Sequence, residues 1–254
     1  MELSSQRIAA REKLILVALY LSKYDSLGLK RLGFDSFVEA FNVIGYAMGS
    51  KPASIKNYRD EFDPLFPNRR KGWHKRKTRS YCLSVLEEYK SLDLESFTGL
   101  VESFVGYDEN VWSEVQSKKK PADRQSHFAQ RLITGLAAER YFESVRPSLP
   151  EFKEYAVHNT TSLGCGYDFR MEIEPSKDFL AVEVKGLNGI TGTLSLTPKE
   201  HEIAAELRDR FFLFVVRNFR ESPFHEIFQN PLSSSLRFRK KERVMIQVSW
   251  LANV

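Results

Sequence analysis

The chain has only two cysteines in 254 residues, Cys82 and Cys165, far apart and with no companions at metal-ligand spacing. A disulfide framework is thereby excluded, and a zinc site finds no ligand set. No apolar run approaches the roughly 20 residues that span a bilayer. The start, Met1 to Arg11, lacks the apolar core and cleavage site of a signal peptide. A cytoplasmic, prokaryotic-type protein with no membrane partner is expected. There is no P-loop, no Gly-x-Gly-x-x-Gly opening a helix and no serine elbow, so nucleotide hydrolysis, dinucleotide chemistry and esterase activity lack support. The histidines, His74, His127, His158, His201 and His225, are scattered and form no paired motif. None is assigned a catalytic role.

Positive charge is present in modest excess, +5 overall, and its distribution says more than its sum. Lys51, Lys56, Arg59, Arg69, Arg70, Lys71, Lys75, Arg76, Lys77 and Arg79 fall in one stretch, opposed only by Asp60, Glu61 and Asp63. Shorter basic runs are Lys118 to Lys120 and Arg237 to Arg243. The periodicity predicts helices over Arg7–Lys23, Phe34–Met48, Pro52 to about Phe62, Ser80–Leu92 and Leu94–Phe104. Asp35 and Ser36 cap the second, Gly49 stops it, and Ser50 is the expected cap of the third. The second and third, joined by a short turn, have a helix-turn-helix outline. On the exposed face of the later helix Ser54, Lys56, Asn57 and Arg59 suit phosphates and base edges. The loop with Arg69, Arg70, Lys71, Trp73, Lys75, Arg76 and Lys77 would continue that DNA-binding surface. A solvated charged face is the plainer alternative.

Residues 1–105 are thus expected to form a helical DNA-binding domain, 106–125 a linker, and 126–254 a second domain of mixed character. In the last, a helix is predicted over Ser126–Val145, with strands at Tyr155–His158, Tyr167–Ile173, Phe179–Lys185 and Thr193–Leu196. A helix from Pro198 to about Arg210, then strands at Phe211–Arg217 and Val244–Trp250, complete it. Alternation sets Glu183 and Lys185 on one face with Ala181, while Leu180, Val182 and Val184 take the other. It also sets Asp168 opposite in facing to Phe169 and Met171. A turn at Pro175 to Asp178 makes the two strands an antiparallel hairpin that carries Asp168 toward Glu183. Two carboxylates and a lysine at one place suit metal-dependent phosphodiester cleavage.

Gly166-Tyr167-Asp168, Glu183-Val184-Lys185-Gly186 and Leu196-Thr197-Pro198-Lys199-Glu200 resemble the PD-(D/E)xK nuclease superfamily. The similarity is narrower still to its Mrr-like and NO VEIN C-terminal-type domains, over roughly Ser126 to Phe219. Tyr167 stands where the motif's name has proline. The resemblance implies an α+β or α/β protein, an all-α helix-turn-helix-like domain followed by a restriction-endonuclease-like αβββαβ core. It further implies a type II restriction endonuclease using magnesium, with manganese as a substitute. Asp168 and Glu183 would bind the metal together with the Val184 carbonyl, and Lys185 would assist the attacking water. Double-stranded DNA is the implied partner, with a homodimer and a cognate DNA methyltransferase acting on the same sites.

Glu139 lies in the stripe Phe128, Leu132, Gly135, Glu139, Phe142. By the same resemblance it reaches the metal or its water; a salt bridge to Arg131 or Arg140, or simple exposure, is the alternative. Glu200 either belongs to the site or closes a capping box with Thr197. Other readings of the whole chain are a non-cleaving DNA-binding or regulatory protein on the same fold, and a repair or modification-dependent nuclease.

Overall fold

A computed structural model describes residues 8–104, 122–174 and 178–242, the side chains of 122–131 excepted. Its first long helix, α1 (Ala10–Lys23), is apolar on all sides, and Ile15 to Ser22 are at most 3% exposed. A helix of that kind belongs at the centre of an assembly. Around it pack α2 (Asp25–Arg31), α4 (Pro52–Phe62), α5 (Ser80–Tyr89) and α6 (Leu94–Phe104). The Tyr20 hydroxyl, buried with the helix, is bonded to Thr98 Oγ1 at 2.8 Å and donates to the Gly28 carbonyl at 3.2 Å.

Between this group and the rest lies α3 (Phe37–Ala47), buried along nearly its whole length. Ser36 caps it by accepting from the Glu39 amide, as expected, and Gly49 ends it at φ 65°. Ser50 does not cap α4; Lys51 occupies that position without a side-chain bond, and Pro52 supplies the preset first turn instead. On its other side α3 packs against α7 (Ala122–Val145). Asn42 of α3 donates to the carbonyls of Phe219 and Glu221 at 2.8 and 3.1 Å. One buried apolar cluster runs without interruption from α1 through α3 and α7 to the sheet.

The sheet has five strands in the order β1 (Ala156–Asn159), β2 (Phe169–Glu172), β3 (Phe179–Gly186), β4 (Phe211–Arg217) and β5 (Phe224–Gln229). All neighbours are antiparallel except β3 and β4, whose parallel pairing requires the crossover supplied by α8 (Pro198–Leu207). The protein is therefore α+β, with eight α-helices among the described residues and a mixed sheet in its C-terminal part. Val182 and Val184 of β3 face α7 and the main core, while Ala181 joins Ala204, Leu207 and Phe211 under α8. Phe142 of α7 fills the centre, within 5.6 Å of the Phe152, Phe169 and Phe214 rings.

Several expectations are corrected. Residues 193–196 are not a strand; β3, the strand before them, is already paired on both sides by β2 and β4. The helix expected from Pro198 ends at Leu207, and Arg208–Arg210 is a 3-10 turn. Leu132, placed on the apolar stripe of α7, is 37% exposed. Two elements went unread: α2, a seven-residue helix containing Gly28, and the edge strand β5. The linker expected at 106–125 lies outside the described residues up to 121, and its last four residues are helical, because α7 starts at Ala122 rather than Ser126. Residues 175–177 of the expected turn and the strand at 244–250 also lie outside the described residues.

Gly186 ends β3 where α7 crosses it. A Cβ there would sit 2.8 Å from the Thr134 carbonyl oxygen and 3.1 Å from Ala138 Cβ. Because the closest obstacle is backbone, Gly186→Ala is expected to cost about 1–3 kcal/mol in urea unfolding. Gly99→Ala, which meets no atom within 4 Å in α6, is expected to stabilise by about 0.5–1 kcal/mol. Equal effects of the two would contradict this packing.

Candidate active site

The β2–β3 register pairs Phe169 with Val182, and one further step sets Asp168 opposite Glu183. The Asp168 amide donates to the Val182 carbonyl at 3.1 Å. Its carboxylate accepts from the Val184 amide at 2.8 Å. Facing follows from alternation: Glu183 and Lys185 share the parity of Ala181 and so project on the α8 side of the sheet. Gly166 makes this approach possible, since at φ 90° a Cβ would press on Ile203 and Lys199 of α8 at 3.0 and 3.1 Å.

Glu183 is only 3% exposed. Burial, then the neighbouring Asp168 carboxylate, push its carboxyl up to about 9. Burial likewise raises Asp168, against the pull of the Val184 amide and the Lys185 ammonium. Lys185 Nζ donates to Glu183 Oε1 at 2.5 Å and to Glu200 Oε2 at 3.0 Å. Burial alone would lower that ammonium; the two carboxylates more than offset it and hold the group above its ordinary value. Glu139, half-buried on α7, is pushed up to about 7 by burial and then by Asp168. Asp168, Glu183 and Lys185 thus lie together, and Glu139 is within electrostatic reach of Asp168 and Lys185.

Glu200 resolves an either-or into both. Thr197 Oγ1 accepts from the Glu200 amide at 3.2 Å, and Glu200 Oε2 accepts from the Thr197 amide at 2.8 Å, which completes the capping box. The same Oε2 receives Lys185. The lysine contact was not legible in the sequence, because the capping signal accounts for the glutamate by itself.

The basic segment is a different case. Lys51, Lys56, Asn57, Arg69, Lys71, Lys75, Arg76 and Lys77 are exposed, and Ser54, Arg70 and Trp73 are half-buried. Arg59 is not on the exposed face of α4: it is 7% exposed, 4.9 Å over the rings of Phe37 and Phe41, and paired with Asp60 and Asp63. The stacked, weakly hydrated guanidinium ties α4 to α3 rather than reaching outward. Arg70 makes a two-pronged pair with Asp63, 2.9 Å for each bond, and Arg76 pairs with Glu61. Among the described residues no ion pair or hydrogen bond links this segment to Asp168, Glu183 or Lys185.

No group of three or more His, Cys, Asp or Glu side chains among the described residues stands in metal-binding arrangement. The available donors are the Asp168 and Glu183 carboxylates and the Val184 carbonyl, which points to the same strand edge as the amide that Asp168 holds. One or two carboxylates completed by water is the donor set of a small hard cation such as magnesium. Two buried acids whose carboxyls both lie above their ordinary range fit such a charge.

Residues 138–229 match the family described as Protein NO VEIN, C-terminal, which is associated with the restriction-endonuclease-like fold. The match covers just over a third of the chain. It begins one residue before Glu139 and ends with the last residue of β5, so it takes in every residue of the acid cluster and all five strands; α1 to α6 fall outside it. No curated protein and no solved structure matches the chain. No described helix is long and apolar enough to cross a membrane.

Because Glu183 takes up its proton more readily folded than unfolded, its contribution to stability is fully present below the ordinary carboxyl range and is lost as pH rises through about 9. In EDTA the melting temperature is expected to fall between about pH 6 and pH 9, with a shallower slope in Glu183→Gln. Added magnesium should raise it more at the alkaline end. A pH-independent melting temperature, indifferent to magnesium, would contradict the description of this cluster.

Proposed function

We propose that the chain is a magnesium-dependent DNA endonuclease of type II restriction character. The observation that carries this reading is the Asp168–Glu183 cross-strand pair beside a lysine held by Glu183 and Glu200. The similarity of residues 138–229 to the NO VEIN C-terminal family supports the same conclusion. In this reading α7, β1 to β3, α8 and β4 form a restriction-endonuclease-like core, and α1 to α6 with the basic segment form the part that selects DNA.

Asp168 and Glu183, with the Val184 carbonyl, would hold the metal. A bound magnesium ion, or manganese in its place, supplies positive charge against the phosphate and acidifies water. Lys185 needs no search for its orientation: two carboxylate bonds fix Nζ beside Glu183, where it positions a water and neutralises a phosphate oxygen. Glu139, pushed up to about 7, is matched to exchange a proton with that water near neutral pH. Cutting both strands with one site per chain favours a homodimer, because twofold protein symmetry matches that of the duplex. A cognate methyltransferase would protect the same sites in the host.

Supercoiled plasmid incubated with the purified chain is expected to give discrete linear fragments in magnesium and none in EDTA. Lys185→Ala should lower the rate by about 100-fold or more. Glu200→Gln should cost less, because the Glu183 bond to the lysine survives. A Lys185→Ala chain that cuts as fast as wild type would end this mechanism.

A further inference from the structure

The loop between α4 and α5 has neither helix nor strand over most of its length, yet it is tightly fastened. The Trp73 amide donates to the Asp60 carbonyl at 2.7 Å. Gly72, at φ 49°, lies so close that a Cβ would stand 2.3 Å from the same oxygen. Asn68 donates to the Asp63 carbonyl at 3.0 Å and accepts from the Arg70 amide at 2.8 Å. All three acids of the basic stretch are spent internally: Asp60 on Lys56 and Arg59, Asp63 on Arg59 and Arg70, Glu61 on Arg76 and Arg79.

Five exposed cations of the stretch, Lys51, Arg69, Lys71, Lys75 and Lys77, then remain with no ion pair among the described residues, and the last four of them lie on this loop. In their midst is a mainly apolar, open-sided cleft of about 240 Å³, lined by Gly72, Trp73, His74, Lys75 and Arg76. Two guanidinium groups lie over the Trp73 ring, Arg76 at 4.3 Å and Arg79 at 5.4 Å from its centroid. Both are held by Glu61 Oε1, Arg79 at 3.0 Å.

We infer that this cleft receives a nucleobase displaced from the DNA stack, with the Trp73 indole as the stacking surface and the four free cations on the flanking phosphates. The inference rests on the DNA-directed reading above and adds how the helical part would engage DNA. The volume is below the range of whole small-molecule pockets and suits one flat ring system. Stacking on an aromatic surface inside a basic frame is how bases outside a duplex are held, whatever their identity. A loop already fixed by its arginines loses little freedom on binding.

The test compares two short duplexes of one sequence in EDTA, one fully paired and one with a single unpaired base, by fluorescence anisotropy. Wild type is expected to bind the second about tenfold more tightly. Trp73→Leu should bring the two affinities level while leaving the paired duplex within about twofold, and Trp73→Tyr, which keeps an aromatic face, should retain the preference. Lys75→Ala and Lys77→Ala should weaken both duplexes alike and flatten the salt dependence. Equal binding of the two duplexes by wild type, a preference that survives Trp73→Leu, or one lost in Trp73→Tyr would overturn the inference. Wild type that cuts plasmid but shows no preference sinks this inference alone; wild type that binds neither duplex sinks the DNA-directed reading with it.

Discussion

Glu183 is almost wholly buried, on the middle strand of the sheet and across from a second acid, and its surroundings are arranged to meet that constraint. An ionised carboxylate out of water costs on the order of several kcal/mol unless it is paired. Lys185 supplies one charge to two acids, and is itself clasped by Glu200. That clasp uses the oxygen that caps α8, so the start of the crossover helix and the orientation of the lysine are set by a single side chain. On the opposite face Gly186 lets α7 close over the end of β3, and α7 carries Glu139 into the electrostatic reach of Asp168. Four acids surround one ammonium, and burial raises three of them, Glu139, Asp168 and Glu183, above their ordinary values.

The helical part solves the reverse problem. Glu61 and Asp63 are buried with side chains at most 1% exposed, and arginines from α4 and the following loop converge on them. Here the ions hold a loop in shape and turn the remaining cations outward. The two parts are joined mechanically through α3: Asn42 holds the turn after β4 by the Phe219 and Glu221 carbonyls. The same turn bonds to the chain leaving Lys185, through Leu187, Asn188 and Gly189. A continuous run of hydrogen bonds therefore links α3 to the segment that begins two residues beyond the lysine.

Most of the acid cluster was legible in the sequence because period-two alternation and a short hairpin connection are local. They fix the facing of Glu183 and Lys185 and nearly fix the partner of Asp168. Arg59 was not legible. Its position on α4 was read correctly, but its direction depends on Phe37, Phe41 and Asp63, and a charged residue carries no local mark of being buried. Strand β5 escaped because an edge strand half in water alternates weakly, and residues 193–196 alternate without pairing to any strand of the sheet. The double duty of Glu200 was hidden for a related reason: a complete local explanation conceals a long-range one.

The claim on which the account turns is that the Asp168–Glu183 pair is built to be neutralised by a divalent cation. Calorimetric titration of manganese near pH 7, repeated in buffers of different ionisation enthalpy, measures both binding and the protons it displaces. With Glu183 pushed up to about 9, one metal per chain should release about one proton, and Glu183→Gln should lose most of the affinity and the release. No binding by the wild-type chain, or binding that Glu183→Gln leaves unchanged, would contradict the account.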